Sequence, residues 1–253
     1  MFRPRVIPCL LLKHLGLVKT VKFKDPTYIG DPINAVKIFN ELEADELAFL
    51  DITASKENRL IDIELVKRIG KEAFMPFAVG GGIKSIEEVK RILGSGAEKI
   101  IINTNSVNDP ELVNKAAEYS GNQSVVVSID VKKNLFGKYQ MFTKSGTQKT
   151  SIDPVEHAKK MEQAGAGEIL INSIDKDGTM TGYDVNLIRQ IADNVTIPVI
   201  AIGGAGTFEH FREAVDEGHA SAVAAGSMFV FHGPRRAVLI NYPTEKELEK
   251  IFN

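Results

Sequence analysis

Met75-Pro76-Phe77-Ala78-Val79-Gly80-Gly81-Gly82 and Ile197-Pro198-Val199-Ile200-Ala201-Ile202-Gly203-Gly204 lie 122 residues apart and share one pattern, an apolar run entered through proline and closed by glycines. The offset recurs along the chain. Asp31-Pro32 and Asp153-Pro154 each open a helical stretch, Glu46 and Glu168 each begin an apolar run, and Gly96 matches Gly218. A spacing that survives this many landmarks implies two equivalent halves, about 1–122 and 123–253, within a single domain spanning 1–253. Each half holds about four strand–helix units.

Working outward from that repeat, eight strand-length apolar runs appear at 6–10, 47–51, 77–79, 99–103, 124–130, 169–172, 199–202 and 222–225. Most are continuous rather than alternating, which predicts strands buried on both faces. They alternate with helical patterns, as a parallel α/β fold requires. Eight such units in 253 residues predict a (β/α)8 barrel. An open doubly wound sheet is the alternative, but two equal halves favour closure. Helix starts are legible as well. Ser85-Ile86-Glu87-Glu88 predicts a capping box after the third strand, and Thr207 an N-cap after the seventh.

Composition narrows the class. The formal net charge is −2 and no basic block suggests nucleic acid. No apolar run is long enough for a membrane span. Met1-Phe2-Arg3-Pro4-Arg5 leads straight into the first strand without a signal-peptide pattern. A single cysteine, Cys9, cannot form an internal disulfide and suits a reducing compartment, so a cytoplasmic protein is expected. Its place within a strand predicts packing rather than catalysis. The five histidines lack metal-ligand spacing, and neither a metal nor another cofactor is expected.

Chemistry in such a barrel belongs to the C-terminal ends of the strands. Those ends read Gly80-Gly81-Gly82 after strand three and Asn103-Thr104-Asn105 after strand four. Asp175-Lys176-Asp177-Gly178-Thr179 follows strand six, Gly203-Gly204-Ala205-Gly206 strand seven, and Ala225-Gly226-Ser227 strand eight. Glycines there let backbone N–H groups converge on an anion. They also serve as tight corners. Two such pairs, after strands three and four and after seven and eight, favour a substrate with a phosphate at each end. Candidate binding residues are Gly81, Gly82, Asn103, Thr104, Asp177, Gly178, Gly203, Gly204, Ala225, Gly226, Ser227 and Asp51. Asp51 and Asp177 could equally order their loops. The polar stretch 143–150 is expected to form a flexible loop over this face, Lys132 and Lys133 a solvated pair.

Phe49-Leu50-Asp51-Ile52-Thr53-Ala54-Ser55, Val79-Gly80-Gly81-Gly82-Ile83, Asp175-Lys176-Asp177-Gly178-Thr179 and Ile202-Gly203-Gly204-Ala205-Gly206 resemble the cyclase subunit of imidazole glycerol phosphate synthase, the HisF family. The resemblance covers essentially the whole chain. It implies a half-barrel repeat that takes ammonia from a HisH-like glutaminase and uses it on a bisphosphorylated ribonucleotide. The products would be imidazole glycerol phosphate and an aminoimidazole carboxamide ribotide. It also implies two aspartates acting as general acid and base, which can divide those roles if their surroundings separate their pKa values.

The strand-five aspartate matches Asp130, but the strand-one position holds Leu11. Leucine cannot transfer a proton, and losing one general acid or base costs ~10²–10⁴-fold. The loop that follows reads His14-Leu15-Gly16-Leu17 where the family is acidic, and Ile202 replaces a small polar residue. Lys19 matches a lysine of the family's mobile first loop; a solvated charge is an equal expectation. At the opposite ends of the strands, Arg5, Glu46, Lys99 and Glu168 match the charged gate through which the family admits ammonia. A stabilising ionic floor is the simpler alternative.

An altered chemical end beside an intact entrance is similar to the WbuZ or AglZ type of HisF-like protein. That resemblance implies acetamidino modification of a nucleotide sugar in surface-polysaccharide synthesis. A glutaminase and an ATP-pyrophosphatase-type sugar amidotransferase would be the partners. An authentic histidine-pathway cyclase, a related phosphosugar isomerase and a non-catalytic activating scaffold remain the alternatives.

Overall fold

The computed structural model describes residues 3–233 and 235–252. The strands are β1 (Arg5–Lys13), β2 (Gly16–Val21), β3 (Lys24–Gly30), β4 (Leu47–Asp51), β5 (Phe77–Gly80), β6 (Lys99–Ile102), β7 (Val125–Lys133), β8 (Tyr139–Thr143), β9 (Gln148–Lys149), β10 (Glu168–Ser173), β11 (Val199–Ile202), β12 (Ala222–Ala225), β13 (Phe231–His232) and β14 (Ala237–Val238). The helices are α1 (Pro32–Glu41), α2 (Ile63–Glu72), α3 (Ile86–Leu93), α4 (Thr104–Asn108), α5 (Glu111–Ser120), α6 (Pro154–Gln163), α7 (Val185–Ala192), α8 (Phe208–Arg212), α9 (Ser227–Val230) and α10 (Glu245–Phe252).

Eight strands pair in parallel in the order β1-β4-β5-β6-β7-β10-β11-β12, and β12 returns to β1. The ring is closed, with helices between successive strands, so the expected (β/α)8 barrel is the fold. All eight runs named from the sequence are its staves. Closure removes every edge that an open sheet would leave unpaired. Two hairpins extend staves at their C-terminal ends, β2–β3 after β1 and β8–β9 after β7, and β13 pairs separately with β14.

The recurring Asp-Pro marks helix starts for a physical reason. Asp31 Oδ1 accepts from the N–H groups of Ile33 and Asn34, and Asp153 Oδ1 from those of Val155 and Glu156. The following proline has no N–H to satisfy and a preset φ. Ser85 caps α3 by accepting from Glu88 N–H. The return half of the expected box is displaced by one residue, because Glu88 Oε2 accepts from Lys84 N–H at 2.7 Å. Thr207 precedes α8, where His210 Nδ1 accepts from the N–H groups of Gly206 and Thr207.

Two apolar clusters form. The larger lies between staves and helices and includes Phe39, Phe49, Phe77, Phe211 and Phe229. The smaller fills the lumen with Ile7, Cys9, Ala48, Ala78, Ile101, Val126, Leu170, Ile200, Ile202, Ala222 and Ala224, with Leu11 and Leu50 packed against it. Alternation along each stave puts these residues inside. The lumen therefore runs from a charged floor, through apolar layers, to a polar mouth.

Candidate functional site

The floor is set by side chains that begin β1, β6 and β10 and immediately precede β4. Arg5 hydrogen-bonds both Glu46 and Glu168. Lys99 Nζ donates to Glu46 Oε2 at 3.2 Å and to Glu168 Oε2 at 3.0 Å. The four form a closed ring of alternating sign. Burial opposes the Arg5 charge, but Glu46 and Glu168 outweigh it and raise the Arg5 pKa. A pair this desolvated is tolerated only because each charge has two partners. The structure brings these four residues together. The ring stands at the strands' N-terminal ends, and the apolar lumen cluster includes Ile7, Ala48, Val126 and Leu170 on the same strands.

The mouth is an open cavity lined by the C-terminal ends of the staves. All the candidate binding residues line it, together with Asp130 and Leu11. Asp130, near the end of β7, is buried, and burial followed by the nearby Asp177 charge pushes its carboxyl up to about 7. Hydrogen bonding from Asn172 and Ser128 opposes that rise. Asn103 Nδ2 donates to Asp130 Oδ2 at 3.3 Å and to the Ser128 carbonyl at 2.9 Å. A carboxylic acid that titrates near neutrality can give or take a proton at working pH. Leu11 stands on β1 beside Leu50 in register, so that side of the mouth is apolar. His14, at the turn between β1 and β2, is exposed and lies outside the lining residues; it does not replace the missing carboxylate.

The glycine turns are symmetric. Gly81 and Gly82 have φ of 143° and 69°; Gly203 and Gly204 have 90° and 120°. A Cβ at Gly82 would lie 1.8 Å from the Arg59 carbonyl oxygen, and one at Gly204 2.2 Å from that of Gly182. Close stacking of the neighbouring loop thus requires glycine in both halves. Each turn adjoins a short helix, α4 or α9, whose first N–H groups have no side-chain cap and can accept an anion. Corner and cradle are therefore compatible roles for the same residues.

The two acidic loop residues are spoken for. Asp51 Oδ1 accepts from Thr53 N–H and Oγ1 and from Ala54 N–H, while Arg59 Nη1 donates to Oδ2 at 2.6 Å. Asp51 orders its own loop. Asp177 Oδ2 accepts from Thr20 Oγ1 at 2.9 Å and Phe23 N–H at 3.2 Å, which pins the β2–β3 hairpin over the mouth. Gly178 allows this approach, since a Cβ there would meet the Thr20 carbonyl at 2.1 Å.

The expectation for Lys19 is corrected in favour of a buried role. It is 5% exposed, lines the mouth, and donates from Nζ to the Cys9 carbonyl. Burial lowers its pKa, opposed by Cys9 and Asp177. Its Nζ lies 2.4 Å from where a Gly226 Cβ would be, so a cation stands beside the strand-eight turn. The β-branched residues Val18, Thr20 and Val21 were the available signal, because they favour a strand over a loose loop. Lys133 is not simply solvated either; it pairs with Asp184 at 2.8 Å and lies over the Tyr139 ring. The 143–150 stretch reaches the mouth, with Ser145 Oγ donating to the Ile52 carbonyl, but as the turn and second strand of the β8–β9 hairpin rather than as a loop. Cys9 packs in the lumen, and burial pushes its thiol up to about 11. Asn172, unnoticed in the sequence, lies opposite Asp130 in the β7–β10 register.

Among the described residues no three His, Cys, Asp or Glu side chains are grouped to hold a metal ion, and no helix is long and apolar enough to cross a membrane.

A family model described as "Histidine biosynthesis protein" matches residues 5–234. Three relatives carry the name "Putative imidazole glycerol phosphate synthase subunit". The one from Pseudomonas aeruginosa, hisF2, is 51% identical over 249 residues, covering 98% of this chain and 99% of its own. The HisF of Leptospira interrogans is 47% identical over the full length of both chains. The hisF3 of Vibrio vulnificus is 48% identical over 251 residues, 99% of this chain and 96% of that one. With a closed eightfold barrel, paired glycine turns and a matching model over nearly its whole length, the chain belongs to the HisF-type histidine-biosynthesis family.

Proposed function

We propose that this barrel is the synthase subunit of a glutamine amidotransferase pair and receives ammonia from a HisH-like glutaminase docked at the charged floor. The ammonia then travels up the lumen to the mouth. One observation carries the proposal: the four-residue ring is complete, while an apolar Leu11 occupies the mouth where the family's first aspartate belongs. An apolar lumen suits a neutral molecule and disfavours ammonium, whose desolvation is expensive. A barrel that only relays ammonia needs its entrance and can lose its acid–base pair.

The acceptor in this proposal is the acetamido group of a nucleotide sugar, converted to an acetamidino group for surface polysaccharide. Replacing a carbonyl oxygen with nitrogen needs free ammonia, and an ATP-pyrophosphatase-type amidotransferase would activate the oxygen for departure. The phosphates of such a ligand suit the glycine turns at the mouth and the Lys19 cation beside Gly226. The subunit would then act in the cytoplasm, where nucleotide sugars and glutamine are made available.

A second proposal is an authentic cyclase of histidine biosynthesis. It is favoured by Asp130, whose carboxyl burial and the Asp177 charge push up to about 7. The test of the relay is glutamine hydrolysis by a HisH-type glutaminase, with and without this barrel, followed by ammonia transfer to an acetamido nucleotide sugar in the presence of the amidotransferase and ATP. Stimulated hydrolysis with amidine formation is expected. Stimulation with cyclisation of the ribonucleotide, and no amidine, would instead establish the second proposal.

A further inference from the structure

Among the buried side-chain polar atoms described, Asn172 Oδ1 stands without a hydrogen-bond partner. The side chain ends β10 at the mouth and lies opposite Asp130 in register. Its amide lies beside Asp130, where it favours the carboxylate anion, and Oδ1 faces the wall. There a Cβ on Gly203 would lie 2.6 Å from Asn172 Oδ1 and 2.9 Å from the Ser173 carbonyl oxygen. Two oxygens face one small space, and the second already accepts from the N–H groups of Lys176 and Asp177. A buried acceptor with no donor is costly, and the fold offers a remedy. The terminal amide torsion has two broad orientations that exchange N–H for C=O. Turned over, Oδ1 would meet Asp130 and an N–H would take the place beside Ser173.

That orientation is favourable only if Asp130 carries a proton to donate. We propose that Asn172 is the positioning residue for the Asp130 proton: its amide turns its C=O to the acid and its N–H to the carboxylate, serving both protonation states of the Asp130 carboxyl group. An amide can do this because it carries donor and acceptor on one pivot. Asn103 Nδ2, the other side-chain amide on Asp130, also donates to the Ser128 carbonyl and stays fixed as a donor. Titratable groups around Asp130 are Asp177 on the loop after β10, Lys19 on β2 and Cys9 on β1. The buried Asp130 acid titrating at about 7 places the switch within an accessible pH range.

The inference holds for either proposed function, and its test uses the free protein without ammonia, glutaminase or substrate, so the two can fail separately. In a protein labelled with 15N at asparagine, the Asn172 side-chain NH2 is assigned by its loss in Asn172→Leu. Nuclear Overhauser contacts from that NH2 are recorded at pH 5.5 and pH 8.5. At low pH a contact to the Gly203 α-protons is expected. At high pH it is lost as the NH2 turns to Asp130, with the midpoint of the Asp130 carboxyl titration. In Asp130→Asn, which is isosteric and does not titrate, the pattern should stop depending on pH. An NH2 contact pattern that is the same at both pH values overturns the inference, and so does a pattern that still switches in Asp130→Asn.

Discussion

At the floor of the barrel, Glu46 and Glu168 each meet both Arg5 and Lys99, so every charge in the ring has two opposite neighbours. At the mouth, Asp130 has only another carboxylate, Asp177, as a charged neighbour strong enough to move its pKa, and that pushes it further toward the neutral acid. The same fold thus holds one set of charges in balance and the other out of balance. Balanced charge gives a floor in which every ion is paired. Unbalanced charge gives a group that can exchange a proton near neutral pH. The contrast separates two jobs that reside on opposite ends of the same staves.

The largest way to break the contrast is to remove one member of the ring. Glu168→Ala leaves Arg5 and Lys99 sharing one carboxylate, and should cost about 3 kcal/mol in urea denaturation. A loss under ~1 kcal/mol would mean that the ring behaves like a surface ion pair.

Replacing Asp130 should act in the opposite direction. Its folded pKa, about 7, lies above the ordinary aspartate value of 3.8, so the folded state holds the proton more tightly than the unfolded chain. Stability from this group is fully present below about pH 4 and is lost as pH rises toward 7. Asp130→Asn should therefore stabilise the protein at pH 8 by roughly 2–4 kcal/mol, with the gain shrinking toward pH 4. Denaturation midpoints of both proteins at pH 4.5 and pH 8 would show it, and a pH-independent difference would contradict it.

The hairpin over the mouth gives an intermediate effect. Gly178→Ala sets a Cβ against the Thr20 carbonyl at a φ of 68°, and should cost more than ~1 kcal/mol while freeing β2–β3. Faster amide hydrogen exchange at residues 17–21, with unchanged exchange at the floor, is the expected sign. The smallest effect belongs to Lys19→Met. It removes one buried cation while leaving a stem of similar shape, so stability should change by under ~1 kcal/mol. Binding of inorganic phosphate at the mouth should weaken about tenfold, a single charge-assisted hydrogen bond's worth. Phosphate affinity equal to that of the unaltered protein would show that Lys19 does not serve the strand-eight turn.

The floor was more legible in the sequence than the mouth, and the reason is physical. Arg5, Glu46, Lys99 and Glu168 sit at the beginnings of regular staves, where position along the strand fixes the side chain's place. The staves themselves were visible as continuous apolar runs, and Asp31-Pro32 and Asp153-Pro154 marked helix starts through local capping. The mouth depends on contacts made across the barrel. Lys19 owes its burial to β2 folding back along β1 and to Asp177, far along the chain, which grips Thr20 and Phe23. Asn172 matters through its register with Asp130. None of these pairings is encoded by a local pattern.

The central claim is that the mouth has lost cyclase chemistry while the floor still admits ammonia. It is tested most directly by ammonia-dependent turnover of the bisphosphorylated ribonucleotide at saturating ammonium and alkaline pH, with Leu11→Asp measured beside the unaltered protein. The account predicts negligible turnover by the unaltered protein and a gain of ~10²–10⁴-fold on restoring the carboxylate. Efficient turnover by the unaltered protein would contradict it and make this barrel a histidine-pathway cyclase that works with Asp130 alone.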